Sequence, residues 1–347
     1  MMARFRRQGW GRWGLVLLMA LRWCVAPTLA AAAPVHTRSW YVRSTDPTLL
    51  GDEGCATAKT LRGAAPEQRF ALLLVFGGVT TNGAGEIVFD LYRDASASVV
   101  EVSAAVSAYV SGYERCSEGA VRVPLTLVVG TTTSRGIVSR AVGAGFATAI
   151  DRIVAAVGNQ SGVTLLGGND LELGYIGPTA ARAWVDGYHG ATSLQLANYG
   201  DLAGCPADRL PRLGDCGTPE HPEWSAEDVW HVAGHPDTVN FPTIYVTSGV
   251  QARQWRNLSR YGAVRHGRPL KFLGTLSQIA ACEVRPCSRR ARNTPGAAWQ
   301  QLQSQLAADP ALGDPDLAAS DIAWMAAPPG TTDDGQLADA EHGEQRF

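Results

Sequence analysis

Apolar runs of strand length alternate with helix-period stripes along most of this chain. Phe70-Ala71-Leu72-Leu73-Leu74-Val75-Phe76 is continuously apolar and stops at Gly77-Gly78, the pattern of a strand buried on both faces. Val123–Val129, Gly162–Glu172, Ser193–Tyr199, Thr243–Thr247, Leu270–Gly274 and Asp321–Met325 read as further strands. Between them lie helical stripes with spacings of three and four: Val99, Val102, Val106, Val110 and Tyr113, then Val142, Phe146, Ile150, Ile153 and Val157. Pro178-Thr179 opens a helix carrying Trp184, Val185 and Tyr188. Shorter helices are predicted over Ala226–Val232, capped by Ser225, over Gln251–Tyr261, and around Trp299, Leu302 and Leu306.

Strict alternation of strands and helices specifies parallel strands joined by right-handed crossovers, either an open doubly wound sheet or a closed barrel. The segments after the strands are long and polar and those before them short, which favours a barrel with an active C-terminal face. The expectation is an α/β fold, a (β/α)8-type TIM barrel, irregular or incomplete because seven strands are counted, one short of eight. It spans residues 70–326 as a single domain. Residues 34–69, with a short extended stretch at Trp40-Tyr41-Val42-Arg43, read as an N-terminal lead-in segment, and residues 327–347 as a disordered acidic tail.

Residues 1–33 carry Arg4, Arg6, Arg7 and Arg12, then the apolar run Gly14–Leu21, then Pro27 and a stretch of alanines. That is the layout of a secretory signal peptide. Arg22 interrupts the run well short of the roughly 20 residues that a membrane-spanning anchor needs, and Trp23 before Cys24 does not suit a lipoprotein. The protein is expected to be secreted, with no stable membrane insertion after cleavage. Without residues 1–33 the chain keeps 25 of its 30 basic residues against 32 acidic ones, a net charge of −7. No electrostatic footprint for nucleic acid remains.

Six cysteines also remain, an even number that in an exported chain reads as disulfides. Closeness in sequence pairs Cys205 with Cys216 and Cys282 with Cys287, which leaves Cys55 with Cys116. No pair has the two-residue spacing of a zinc knuckle.

The candidate chemistry lies at the end of the third predicted strand, Gly167-Gly168-Asn169-Asp170-Leu171-Glu172. Period two puts Asp170 and Glu172 on one face, roughly 6.6–6.8 Å apart along the strand. Coupled carboxylates there divide into an ionised group and a protonated acid, the pair of roles that glycosidic cleavage requires. The plainer alternatives are an Asp and a Glu that cap the following loop or bind a cation. Gly167-Gly168-Asn169 leave room for close approach by side chains or a ligand.

An Asp-x-Glu at an inner strand end of an exported barrel resembles the glycoside hydrolase barrels of the chitinase and Chalaropsis-type lysozyme groups. Against the chitinase run Asp-Gly-x-Asp-x-Asp-x-Glu, the resemblance implies Glu172 as the catalytic acid and Asp170 as its partner. The two earlier aspartates fall on Leu165 and Gly168. That departure puts the substrate-assisted route of the chitinases in doubt and leaves direct or inverting hydrolysis. Asn169, Asn198, Tyr199, Tyr245, Gln278, Trp324 and Asp90 stand at or after strand ends as candidate sugar-binding groups. Each aromatic among them also has a core-packing reading.

Other patterns fail. Gly78 and Gly83 have phosphate-loop spacing, but Ala84 and Gly85 replace its Lys and Ser/Thr. Gly83-Ala84-Gly85 lacks the third glycine of a dinucleotide turn. His231 and His235 are four apart, yet Gly234 and Pro236 break the helix that a metal pair needs, and no Gly-x-Ser-x-Gly elbow is present. No cofactor and no metal are called for. The expected function is a secreted glycoside hydrolase-like protein acting on a polysaccharide or cell-wall glycan. The alternative is a non-catalytic extracellular glycan-binding or structural barrel.

Overall fold

Eight parallel strands follow one another in chain order around a ring in the computed structural model, which describes residues 34–65, 67–92, 95–117, 123–158, 162–285, 287, 291–313 and 315–325. The chain begins with β1 (Thr37–Tyr41), α1 (Pro47–Thr60) and β2 (Phe70–Val75). An antiparallel insert follows, made of β3 (Gly78–Thr81), β4 (Ile87–Asp90) and β5 (Ser96–Ser98). It continues through α2 (Val99–Ser117), β6 (Leu125–Thr132), α3 (Arg140–Val157), β7 (Val163–Asp170), α4 (Pro178–Ala191) and β8 (Leu196–Asn198). The last part is α5 (Ala226–Ala233), β9 (Thr238–Asn240), α6 (Val250–His266), β10 (Gly274–Ser277), α7 (Ile279–Val284), α8 (Pro295–Ala307) and β11 (Ala318–Trp324).

The ladder order is β10-β11-β1-β2-β6-β7-β8-β9. The ring closes between β9 and the chain entering β10, where Asn240 N donates to Lys271 O at 2.9 Å and Leu273 N to Asn240 O at 2.7 Å. This is the expected TIM-barrel architecture, complete with eight strands.

Alternation along each strand sorts side chains into two cores. Phe70, Leu72 and Leu74 of β2 face the helices, while Ala71, Leu73 and Val75 face the barrel axis. The axis is filled by Val128, Leu166, Ala197, Tyr199, Phe241 and Ile322, among others.

Three differences from the sequence reading have local causes. The first barrel strand lies in the stretch read as a lead-in. Thr37 and Ser39 point inward and satisfy themselves on barrel neighbours, Ser39 Oγ to Ser320 Oγ at 2.7 Å and Leu73 N to Ser39 Oγ at 2.9 Å. Polar inner positions hid the strand from a search for apolar runs. Between the first apolar run and the first helical stripe, where no strand was expected, the chain forms the β3–β5 insert, and α2 starts at Val99.

The strand expected over Thr243–Thr247 is instead β9, at Thr238–Asn240. Pro242 has no N–H and interrupts the strand, although pairing with β10 resumes where Leu276 N donates to Pro242 O (2.8 Å) and Ile244 N to Leu276 O (2.9 Å). The apolar stretch beyond it is also held by side chains: Gln251 Oε1 accepts from Tyr245 N (2.6 Å) and Val246 N (3.0 Å), and Asn293 Nδ2 donates to Ile244 O (3.0 Å) and Val246 O (2.8 Å).

The disulfides are Cys55–Cys116, joining α1 to α2, Cys205–Cys216 and Cys282–Cys287, as the spacing predicted. The signal-peptide and tail assignments fall outside the described residues. Among the described residues, no helix is long and apolar enough to cross a membrane.

Loop-closure entropy ranks these bridges. Cys55 and Cys116 are 61 residues apart and Cys282 and Cys287 five. Replacing the first pair by Ala is expected to cost about 4 kcal/mol, and the second about 2 kcal/mol, in guanidinium unfolding. Equal losses would remove the denatured chain as the source of the effect.

Candidate functional site

The carboxyl ends of the eight strands converge on one mouth, the face on which a barrel of this type places its chemistry. On β7, Leu166 and Gly168 face the axis and Asp170 follows in the same phase, while Leu165, Gly167 and Asn169 face the helices. Both glycines are sterically required. A Cβ on Gly168 would lie 2.4 Å from Val128 Cγ1 and 3.0 Å from Tyr199 Cε1, and one on Gly167 would lie 2.5 Å from Tyr188 Oη. On β6, Gly130 gives way to the same Tyr199 hydroxyl. Tyrosine rings therefore take the space beside these glycines.

Tyr199 donates its phenol to Thr131 O, and burial, reinforced by the Asp170 charge, pushes that phenol well above its ordinary range. Tyr245 is likewise shifted upward, first by burial, then by the charges of Tyr41, Asp170 and Glu172 and by a hydrogen bond with Tyr41. One buried phenol thus feels both acids. Asp170 is half-buried and accepts from Thr132 Oγ1 at 3.4 Å, and its backbone oxygen accepts from Thr133 Oγ1 at 2.5 Å. Glu172, in the turn beyond β7, is only 6% exposed.

Trp324 ends β11 in an aromatic group at the mouth. Its ring lies 4.5 Å from that of Tyr41 and meets Tyr92 edge-on at 5.3 Å, and Tyr41 and Tyr92 are 5.2 Å apart. Guanidinium groups cover two of the rings, with Arg285 4.1 Å above Trp324 and Arg135 5.7 Å from Tyr92. Asp90 on β4 pairs with Arg135 at 3.4 Å, which ties the insert to the rim. Arg43, two residues beyond β1, is buried.

The structure therefore brings Asp170, Glu172, Tyr199, Tyr245 and Trp324 to the mouth, with Asp90 at its edge. Asn169 and Asn198 are placed elsewhere. They are in register with each other and with Asn240 on the helix-facing side, and Asn198 Nδ2 donates to Asn240 Oδ1 at 3.2 Å. Asn240 in turn donates to Ala233 O and Lys271 O, both at 2.9 Å. Gln278 follows β10 at the N-cap of α7, but the first turn of that helix is capped by Asp321, which accepts from Ile279 N (3.0 Å) and Ala280 N (3.1 Å).

Tyr41, Tyr92, Arg135 and Arg285 had no motif to mark them. Asp201 was missed as well. It lies just past β8, is buried, and accepts from Ala203 N at 3.1 Å; burial pushes its carboxyl up to about 6. A spare Asp two residues beyond a predicted strand end was the available signal.

No family model matches the chain, and no curated protein matches it. Solved structures similar to it include 2,3-dimethylmalate lyase, a member of the PEP mutase/isocitrate lyase superfamily, at 11% identity and a TM-score of 0.40, covering 84% of this chain and 76% of that one. Alpha-galactosidase I from Mortierella vinacea matches at 11% identity and 0.30 over 79% of this chain and 74% of its own. A GH26 beta-mannanase from Bacteroides ovatus matches at 11% and 0.32 over 81% and 86%. Overlap this loose leaves activity to be argued from the site itself.

His231 and His235 do not converge on a shared ligand position. His231 Nε2 bonds Asp186 Oδ1 at 2.6 Å, whereas His235 stacks on His189 with ring centroids 3.7 Å apart. Burial, with His235 alongside, pushes His189 down to about 4. A depressed histidine withholds a proton that the unfolded chain accepts, so its stabilisation is complete above about 6.5 and is lost as pH falls toward about 4. Asp201, shifted upward, acts in the opposite sense, so variants must be compared with the parent. The urea midpoint of the wild type is expected to fall more between pH 7 and 4.5 than that of His189→Gln; parallel curves would dismiss His189 as the titrating group.

Proposed function

We propose that this chain is a glycoside hydrolase-like enzyme acting on a polysaccharide or cell-wall glycan. The observation that carries the reading is the placement of two carboxylates, Asp170 at the carboxyl end of β7 and the buried Glu172 two residues beyond it, at the C-terminal mouth of a parallel barrel. Glycosidic cleavage needs one carboxyl to protonate the leaving oxygen and another, ionised, to act as base or nucleophile on the other side of the sugar. Glu172, nearly withdrawn from water, takes the first role. Asp170, half-exposed and hydrogen-bonded by Thr132, takes the second. The aromatic group formed by Tyr41, Tyr92 and Trp324 supplies apolar ring faces on the opposite side of the ring of strands.

Secretion belongs to the same proposal. It is supported by the leader-like residues 1–33 and by three disulfides, which persist in oxidising compartments.

A second reading, a barrel that binds glycan without cleaving it, is favoured by one observation. Tyr199 fills the axis below Asp170, and Glu172 is 6% exposed. Turnover on a panel of glycans separates the two. The wild type is expected to release reducing ends, and Glu172→Gln to lower kcat by roughly 10²–10⁴-fold while still binding. Undiminished turnover by Glu172→Gln would take that residue out of the chemistry, and binding without turnover in the wild type would establish the second reading.

A further inference from the structure

The loop between β8 and α5 builds a groove on the outer wall of the barrel. Cys205–Cys216 closes the loop and α6 pins it, with Gln254 Nε2 donating to Cys205 O at 2.8 Å and Asn257 Nδ2 to Pro206 O at 3.2 Å. Asp215 accepts from Arg212 N at 2.6 Å and pairs with Arg209, which fixes the segment that carries Leu210 and Leu213. Between that segment and the last turns of α6 lies a cavity of about 270 Å³. Leu210, Leu213 and Val264 line it and are 40%, 61% and 59% exposed, three of the seven large apolar side chains that stand open to solvent among the described residues. Scattered singly, such side chains need no account, but three held together on a braced frame mark an interaction surface.

The helix beside the groove is basic. α6 carries Arg253, Arg256, Arg260 and Arg265 and no acid, and Arg256 and Arg260 share the carboxylate of Asp309, at 3.6 and 2.9 Å. Arg212 and Arg265 stand exposed at the edge of the groove. The acids that border it are engaged, Asp215 by Arg209, and Glu227 by the Tyr261 hydroxyl and by His266 at 3.2 Å. Residues 331–347 have the opposite character: Asp333, Asp334, Asp339, Glu341 and Glu344 stand against Arg346, with Leu337 and Phe347 as large apolar side chains among them. Reach is sufficient. α8 packs against both β11 and α6. Residue 337 lies twelve beyond Met325, an extended span of up to roughly 40 Å, whereas the 17 residues of α6 measure about 25 Å.

We propose that residues 331–347 dock along α6, with their carboxylates on its arginines and with Leu337 or Phe347 seated between Leu213 and Val264. This goes beyond the glycan reading and stands whether or not that reading holds. Seating an apolar side chain there takes the open faces of Leu213 and Val264 out of water. The arginines hold the segment by a charge attraction that salt screens. Tethering favours the chain's own segment over a separate partner of the same composition, because the tether supplies it at a roughly millimolar effective concentration.

The test is hydrogen–deuterium exchange on the full-length chain at low salt, compared with a synthetic peptide of residues 331–347. Amides of that segment are expected to exchange roughly five- to thirty-fold more slowly in the protein than in the peptide, at a ratio independent of protein concentration. Leu213→Ser combined with Arg212→Gln, both at exposed positions, is expected to return them to the peptide rate, and added salt to move them toward it. Leu337→Ser combined with Phe347→Ser is expected to speed exchange across residues 210–213 and 261–265. That second variant decides if the first fails to fold by circular dichroism. Segment amides that exchange at the peptide rate in the wild type overturn the docking. So does protection that survives the groove substitutions, which places the segment elsewhere, and so does protection that rises with protein concentration, which makes the occupant a second copy.

Discussion

The fit of one tyrosine ring into the barrel axis sets the terms for the rest of this molecule. Eight parallel strands enclose a space that must be filled to the density of a protein interior. On the β6–β7 side it is filled by Tyr199, admitted by the absence of side chains at Gly130 and Gly168. Because that ring is a buried phenol kept neutral, the floor it makes under the mouth adds no charge of its own. Charges placed above such a floor interact at low effective dielectric, and each one matters more than it would in water. A pair of acids there has chemical consequences that the same pair on an open surface would lack.

How much of this could be read from the sequence depended on which face of each strand was apolar. β2 is buried on both faces by hydrophobic side chains and announces itself as an unbroken run, and β6 and β7 begin with largely apolar stretches. β1 fills its inner positions with Thr37 and Ser39, and β9 is three residues long, with Pro242 just beyond it. Neither carries the same signal. The helical stripes and the cysteine spacing were explicit because their partners lie nearby in the chain or are forced by count.

The site was legible where it follows strand phase and illegible where it is assembled from loops. Asp170 falls in phase with Gly168 and Leu166, so its direction was set once β7 was recognised. Asn169 and Asn198 occupy the opposite phase, where Asn198 bonds Asn240 and Asn240 in turn reaches Ala233 O of α5. Tyr41, Tyr92, Arg285 and Trp324 come together from stretches up to 283 residues apart, and no spacing rule links them before the ring closes. Gly167-Gly168 read as room for a ligand because a vacancy and a position reserved for a distant ring look alike in one dimension.

The side chains that reinforce the chain beyond Pro242 give this barrel a chemical clock. Asn293 can hold Ile244 O and Val246 O only as an amide, through the hydrogens on its nitrogen. Hydrolysis of that amide to an acid, one of the slow covalent losses to which asparagine is prone, would set a carboxylate against two carbonyl oxygens. The wall between β9 and β10 thus depends in part on a bond that ages, while the β2–β6 wall opposite is written in backbone hydrogen bonds that do not.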